Sequence, residues 1–144
     1  MFIDPMVDYI HPSFQRILRF NPADEPLLNP VFQNKKYRRE LQQFNKLLWI
    51  PTPEMLLATK IKSVLNRTKD EKLIKDICDI YALSWYSGKT FQKVKDESHK
   101  HINHEILTKL HGMLKSEKKV FQKAQIAMDI DAETIKNLIE DLIT

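Results

Sequence analysis

Between residues 51 and 85 the chain has two stretches of helical apolar periodicity separated by a short polar turn. This pair limits the fold more than any other feature of the sequence. Thr52-Pro53 is a typical helix start, because a first-turn proline has no N–H to leave unpaired. Thr68 and Glu71 have the spacing of a capping box and predict the start of a second helix, which Ser87-Gly88 would end. The stretch therefore predicts a helical hairpin with its two apolar faces packed together.

Charged residues lie at the edges of these apolar faces. Lys60 is on the first predicted helix, and Asp76 and Asp79 share one side of the second because they are three residues apart. In a packed hairpin, Lys60 or Arg67 would meet Asp79. Two interpretations fit this spacing. One is an ordinary salt bridge that stabilises the hairpin, and the other is a lysine and a carboxylate facing a polyanionic ligand and its metal.

The sequence LLATKIKSVLNR followed by KDICDIYAL resembles the third and fourth motifs of the AbiEii/AbiGii-type nucleotidyltransferase toxins and related minimal nucleotidyltransferases. In that family a leucine-rich helix carries a lysine and ends in an arginine, and the next helix reads Arg-Asp, two residues, Asp-Leu. Lys60 and Arg67 match the first motif, and Asp76 and Asp79 match the second. Lys75 replaces the family's arginine, which keeps the charge but loses the planar fork. The resemblance covers about half of the chain.

The resemblance implies a catalytic set made of Lys60, Asp76 and Asp79. Lys60 would contact nucleotide phosphates and neutralise developing charge, with Arg67 as the second phosphate contact. The two aspartates would orient the lysine or a basic partner. In such enzymes an aspartate on an early strand helps to hold divalent ions, and Asp4 is the nearest match, so Mg²⁺ is the implied metal.

The opening motif of such enzymes, Gly-Ser followed by Asp-x-Asp, is absent, although two-metal phosphoryl transfer needs clustered carboxylates. Gly88 and Gly112 are isolated, so there is no Walker A loop and no dinucleotide fingerprint. We therefore expect the second half of a nucleotidyltransferase-like protein, active only with a separately encoded N-terminal half or inactive alone. A nucleotide, an antitoxin and a second copy of the chain are the other partners to consider.

The first 50 residues read as a partial α/β segment. Asp4 and Asp8 alternate with apolar residues in a short strand that Pro5 breaks. Asn29-Pro30 predicts a helix of about four turns, and KLLWI at 46–50 predicts a strand. The predicted helix would present four basic side chains, which suit either a solvated face or weak nucleic-acid binding: Lys35, Lys36, Arg38 and Arg39.

Residues 51–144 read as a helical bundle domain, since four further apolar periods follow Gly88. Asp131 is placed to cap the last of these helices. The expected fold class is therefore mainly α with a small N-terminal β element. DNA reading is disfavoured because the last helix is acidic. The spacing of His99, His101 and His104 could let two side chains share a metal, but a zinc site needs three or four convergent ligands and the HExxH order is absent, so zinc binding is disfavoured.

Composition restricts the cellular setting. Cys78 is the single cysteine, which excludes an internal disulfide and suits a buried thiol in a reducing cytoplasm. There is no apolar run of membrane-spanning length and no basic leader before the first apolar residues. The net charge of +4 permits an anionic partner without requiring one.

Three functions from different classes are compatible with the sequence. The first is the nucleotidyltransferase-like protein. The second is a non-catalytic helical interaction protein in which the lysine–aspartate pair is structural. The third is a weak nucleic-acid binder that uses the basic residues 35–39.

Overall fold

The computed structural model describes residues 6–7, 23–43, 46–116 and 118–144, and over these residues the protein is mainly helical with a small β content near the N-terminus. This is the fold class that the sequence predicts. The chain divides into two compact units, Met1–Thr52 and Pro53–Thr144.

Among its described residues, the first unit contains short strands and one short α-helix. Strands β1 (Met6–Val7) and β2 (Ala23–Asp24) pair in parallel. Helix α1 (Leu28–Gln33) is followed by a single 3₁₀ turn, Lys35–Tyr37. Strands β3 (Arg38–Gln43) and β4 (Lys46–Pro51) then pair antiparallel, with Leu41 opposite Leu48. The strand predicted at 46–50 is confirmed.

The helix of about four turns predicted from Asn29-Pro30 is wrong. Helix α1 ends at Gln33 because the next residue, Asn34, takes an extended conformation with φ −132° and ψ 117°. The Asn34 side chain accepts a hydrogen bond from the Lys36 backbone N–H, which starts the 3₁₀ turn instead. The residues from Arg38 onward then pair with the next strand along the chain, β4, so strand pairing replaces helix formation there.

The second unit consists of six helices among the described residues. They are α2 (Pro53–Val64), α3 (Asp70–Tyr86), α4 (Phe91–His99), α5 (His104–Ser116), α6 (Lys118–Met128) and α7 (Ala132–Ile143). The predicted hairpin and the four helices beyond Gly88 are confirmed. No helix in the described part of the chain is both long and apolar enough to cross a membrane.

The helix ends follow the sequence signals in most places. Helix α2 begins at Pro53. The Asp131 side chain caps α7 because it accepts hydrogen bonds from the backbone N–H groups of Glu133 and Thr134. Gly88, just beyond α3, has a φ of +74°, which favours glycine. The capping box is wrong: α3 begins at Asp70 with Lys69 as its N-cap residue and no side-chain cap, so Thr68 lies one residue too early.

Helix α2 lies at the centre of the core. It packs against α3, α4 and α5, and α3 packs in turn against α6 and α7. Fully buried apolar side chains fill the space between these helices, and burial of each contributes about 1.5 to 3 kcal/mol. The largest of them are Met55, Leu57, Ile61, Ile77, Ile80, Leu110, Ile135, Ile139 and Leu142. This packing fixes the axial and rotational positions of α2 and α3, and therefore of the charged residues that they carry.

Candidate functional site

The Lys60 ammonium group joins helix α2 to helix α3. Its Nζ atom lies 2.9 Å from Asp76 Oδ1 and 2.7 Å from Asp79 Oδ2. Because Asp76 and Asp79 are separated by almost one helical turn, one ammonium group can bond to both. The contact between Lys60 and Asp79 that the hairpin predicted is therefore present. The role of either residue in catalysis remains a prediction.

Asp76 is the buried centre of this group, with only 2% of its side chain exposed. It accepts hydrogen bonds from Lys60 Nζ, from Ser63 Oγ at 2.9 Å and from Arg67 Nε at 2.5 Å. Sequence reasoning missed Ser63, and its position three residues after Lys60 on the same helix was the available signal. It also paired Arg67 with Asp79 as an alternative, whereas the structure pairs Arg67 with Asp76. We call Lys60, Arg67, Asp76 and Asp79 the charge cluster.

The charge cluster keeps its buried members ionised. Burial by itself raises the pKa of Asp76, but hydrogen bonds from Arg67, Lys60 and Ser63 outweigh that cost and hold the pKa below its ordinary value. Burial lowers the pKa of Lys60, and bonding to Asp76 and Asp79 outweighs this too, so its pKa lies above the ordinary value. With two basic and two acidic side chains, the charge cluster has a formal net charge of zero.

The members of the charge cluster differ in their access to water. The side chains of Lys60, Arg67 and Asp79 are 27%, 32% and 36% exposed, against 2% for Asp76. Asp76 therefore contacts the two cations and Ser63 but is not accessible to a dissolved ligand. A dissolved ligand can reach the other three.

A shallow groove of about 350 Å³ borders the exposed side of Lys60 and Asp79. We call it the α2–α3 groove. Its lining is otherwise largely apolar and comes from both helices and the residue after α3: Leu56, Lys60, Asp79, Ala82, Leu83, Tyr86 and Ser87. A larger depression of about 520 Å³, formed by residues of α5, α6 and α7, contains no member of the charge cluster.

The assignment of Mg²⁺ to Asp4 stays a prediction. Asp4, to which the resemblance assigns Mg²⁺, and Asp8 lie outside the described residues. Among the residues that are described, no group of three or more His, Cys, Asp or Glu side chains is arranged to hold a metal ion. Asp76 is fully committed to its donors, so Asp79 is the one carboxylate of the charge cluster that a cation can approach. The described residues therefore do not make a Mg²⁺ site by themselves.

One of the four basic residues that the sequence offered for nucleic-acid binding makes structural contacts. Arg38 Nη1 donates to the backbone carbonyls of Val31 and Phe32 at 3.2 and 2.6 Å, and its guanidinium lies 3.6 Å from the Trp49 ring. This arginine is therefore bound into its own unit, and Lys35, Lys36 and Arg39 are left as the exposed basic residues of the 35–39 segment.

Cys78 and His99 are also placed by the structure. Cys78 is half-buried and not fully buried, and desolvation, followed by the charge of Asp79, raises the pKa of its thiol. It is therefore not an activated thiolate. The His99 Nε2 atom lies 2.7 Å from the backbone carbonyl oxygen of Leu142, where it caps the end of α7.

No family model, curated protein sequence or solved structure matches the chain in the three comparisons made.

Proposed function

We propose that the chain is the second half of a nucleotidyltransferase-like protein and that it binds nucleotide phosphates at Lys60. The observation that carries this proposal is the position of the Lys60 ammonium group. It is held by the buried Asp76, bonded to Asp79 and exposed at the end of the α2–α3 groove. The sequence resemblance assigns phosphate contact to this same lysine.

The donors of the charge cluster suit phosphate. An ammonium group has three N–H bonds, and the two carboxylates account for two of them, so the third can point to a phosphate oxygen. Arg67 donates to Asp76 through Nε. Its two terminal amino groups can then form paired hydrogen bonds with two further phosphate oxygens. Asp76 fixes both cations and thereby reduces the ordering cost of binding.

The balanced charge of the cluster sets a limit on affinity. A phosphate that approaches Lys60 also approaches Asp79, and the repulsion between them opposes binding. A nucleotide that carries its own Mg²⁺ has less negative charge, so we expect Mg-nucleotides to bind better than free nucleotides. Because the sequence lacks the Gly-Ser and Asp-x-Asp motif that supplies clustered carboxylates, we propose binding by this chain alone without nucleotidyl transfer.

The proposal is tested by thermal shift with Mg-ATP, Mg-CTP and Mg-GTP. The wild-type melting temperature should rise with at least one nucleotide, and Lys60→Met should abolish the rise. The matched control is Lys72→Met, which removes the same charge from an exposed position on α3. No rise in the wild type with any nucleotide, or an equal rise in Lys60→Met, would contradict the proposal.

A partner follows from the missing opening motif. A separately encoded chain that carries Gly-Ser and Asp-x-Asp would supply the clustered carboxylates that two-metal chemistry needs. We expect such a reading frame beside the gene for this chain. Nucleotidyl transfer should then appear when the two chains are mixed and be absent from either one alone.

A second candidate function is a non-catalytic helical interaction protein. Large apolar side chains at the end of α3 favour it, since Trp85 is 60% exposed and Tyr86 is 68% exposed. Bonding of Lys60 to two carboxylates also suits a purely structural ion pair. This candidate predicts that Lys60→Met lowers the free energy of unfolding while the wild type binds no nucleotide.

A further inference from the structure

The α2–α3 groove has a charged end and an aromatic end. Along α3 its lining residues are Asp79, Ala82, Leu83 and Tyr86, which recur at the spacing of one helix face. Helix α2 contributes Leu56 and Lys60, one turn apart on the opposite wall. The groove therefore runs along both helices from the Lys60 ammonium group to the Tyr86 ring.

The two ends lie a defined distance apart. Asp79 and Tyr86 are seven residues apart on one helix, which places their backbones about 10 Å apart along the axis. The Leu56 and Leu83 side chains form the apolar walls between these ends and are themselves only partly buried. A ligand that fits this arrangement has an anionic group at one end and a flat apolar ring at the other.

Tyr86 is suited to stacking. The residue is 68% exposed although it borders an apolar groove, so the ring is accessible to a ligand. Every nucleobase has a π-face, and stacking on an aromatic side chain is tolerant of base identity. Ala82 and Leu83 have no polar groups on their side chains that would select one base edge over another.

We propose that the α2–α3 groove is a base-binding subsite, in which a nucleobase stacks on Tyr86 while the phosphates of the same nucleotide reach Lys60. This inference rests on the proposed function, because it needs phosphate at Lys60. It adds that the ligand is a nucleotide and not a bare polyphosphate, and that selection among the bases is weak.

The test compares the affinities of Mg-ATP, Mg-CTP and Mg-tripolyphosphate by calorimetry. Stacking should make both nucleotides bind about tenfold more tightly than tripolyphosphate, with at most a few-fold difference between them. Tyr86→Ala should remove this advantage and leave tripolyphosphate binding unchanged. Tyr86→Phe should keep the advantage, since the ring remains. Trp85→Ala is the matched control, because it removes an exposed ring one residue away that does not line the groove.

The experiment distinguishes a failure of the base-binding subsite from a failure of the proposed function. If tripolyphosphate binds through Lys60 and ATP gains nothing, the base subsite is wrong and the proposed function stands. If neither ligand binds the wild type, or both bind Lys60→Met equally well, the proposed function fails and the subsite with it. A homodimer that Tyr86→Ala dissociates in analytical ultracentrifugation would show that a second copy covers the groove, which would also overturn the subsite.

Discussion

Asp76→Asn tests the central claim about the charge cluster, because the substitution keeps the shape of the side chain and removes its charge. In the wild type the carboxylate is 2% exposed and accepts from Lys60, Ser63 and Arg67. In the variant, one of the two carboxylate oxygens is replaced by an amide NH₂ group. This group is itself a donor, so it cannot accept the hydrogen bond that the oxygen received. Lys60 and Arg67 therefore both lose a buried negative charge, and the donors on one of the two oxygens also lose their acceptor.

The expected cost follows from the burial of the three groups. Removing one partner of a buried ion pair costs about 3 to 5 kcal/mol. Lys60 and Arg67 are 27% and 32% exposed, so water replaces part of the lost interaction, and Lys60 keeps its bond to Asp79. We therefore expect the lower end of the range, about 3 kcal/mol, which is a large share of the roughly 5 to 15 kcal/mol that stabilises a typical domain.

Urea unfolding followed by far-UV circular dichroism measures this cost. With a slope of about 2 kcal/mol per molar urea, the unfolding midpoint should fall by about 1.5 M. Asp79→Asn is the matched control, since the Asp79 side chain is 36% exposed, and it should lose less than about 1 kcal/mol. If Asp76→Asn lies within about 0.5 kcal/mol of the wild type, or the control is equally costly, the assignment of Asp76 as the buried centre is wrong.

Four further predictions concern pH and the helix ends. The lowered pKa of Asp76 means that its stabilisation is present above its ordinary value of 3.8 and is lost as the pH falls through the folded-state pKa. The unfolding midpoints of wild type and Asp76→Asn should therefore converge in acid. The raised pKa of Lys60 has the opposite sign, so its stabilisation is present below 10.5 and is lost as the pH rises through the folded-state pKa; a wild type whose stability stays constant across that alkaline range would contradict this. Gly88→Ala should cost about 1 kcal/mol in urea unfolding, because the residue has a φ of +74° with open space around it; no loss would contradict the strain argument. His99→Ala should cost about 1 kcal/mol and speed amide exchange in the last turn of α7, whereas the exposed His104→Ala should not.

Local signals predicted the helical unit well where they concern one helix at a time. The apolar periods of α2 and α3 have the helical repeat, and tertiary contacts then bury the same faces, as Ile61 and Ile77 show. Asp131 was identifiable because an N-cap bond forms within a few residues of sequence. The capping box failed because the helix starts at Asp70, so that Lys69 and not Thr68 is the residue directly before it.

Pairing between two neighbouring strands explains the main failure in the first unit. The segment after Asn29-Pro30 has residues compatible with helix, but Asn34 starts a 3₁₀ turn and the strand β4 provides a hydrogen-bonding partner. A strand forms only when its partner is present, so the composition of the segment alone does not decide between helix and strand. The Arg38 side chain, stacked on Trp49, depends on the same pairing.

By itself, the sequence determined that the chain is mainly helical, where α2 begins, where α3 ends, which residue caps α7, and that Lys60, Asp76 and Asp79 lie close to packed apolar faces. These properties depend on contacts between residues a few positions apart. Only the tertiary structure decided which carboxylate is buried, that Arg67 bonds to Asp76, and that a groove runs from Lys60 to Tyr86. The reason is that burial and concavity depend on the distance and rotation between α2 and α3, which the whole core sets.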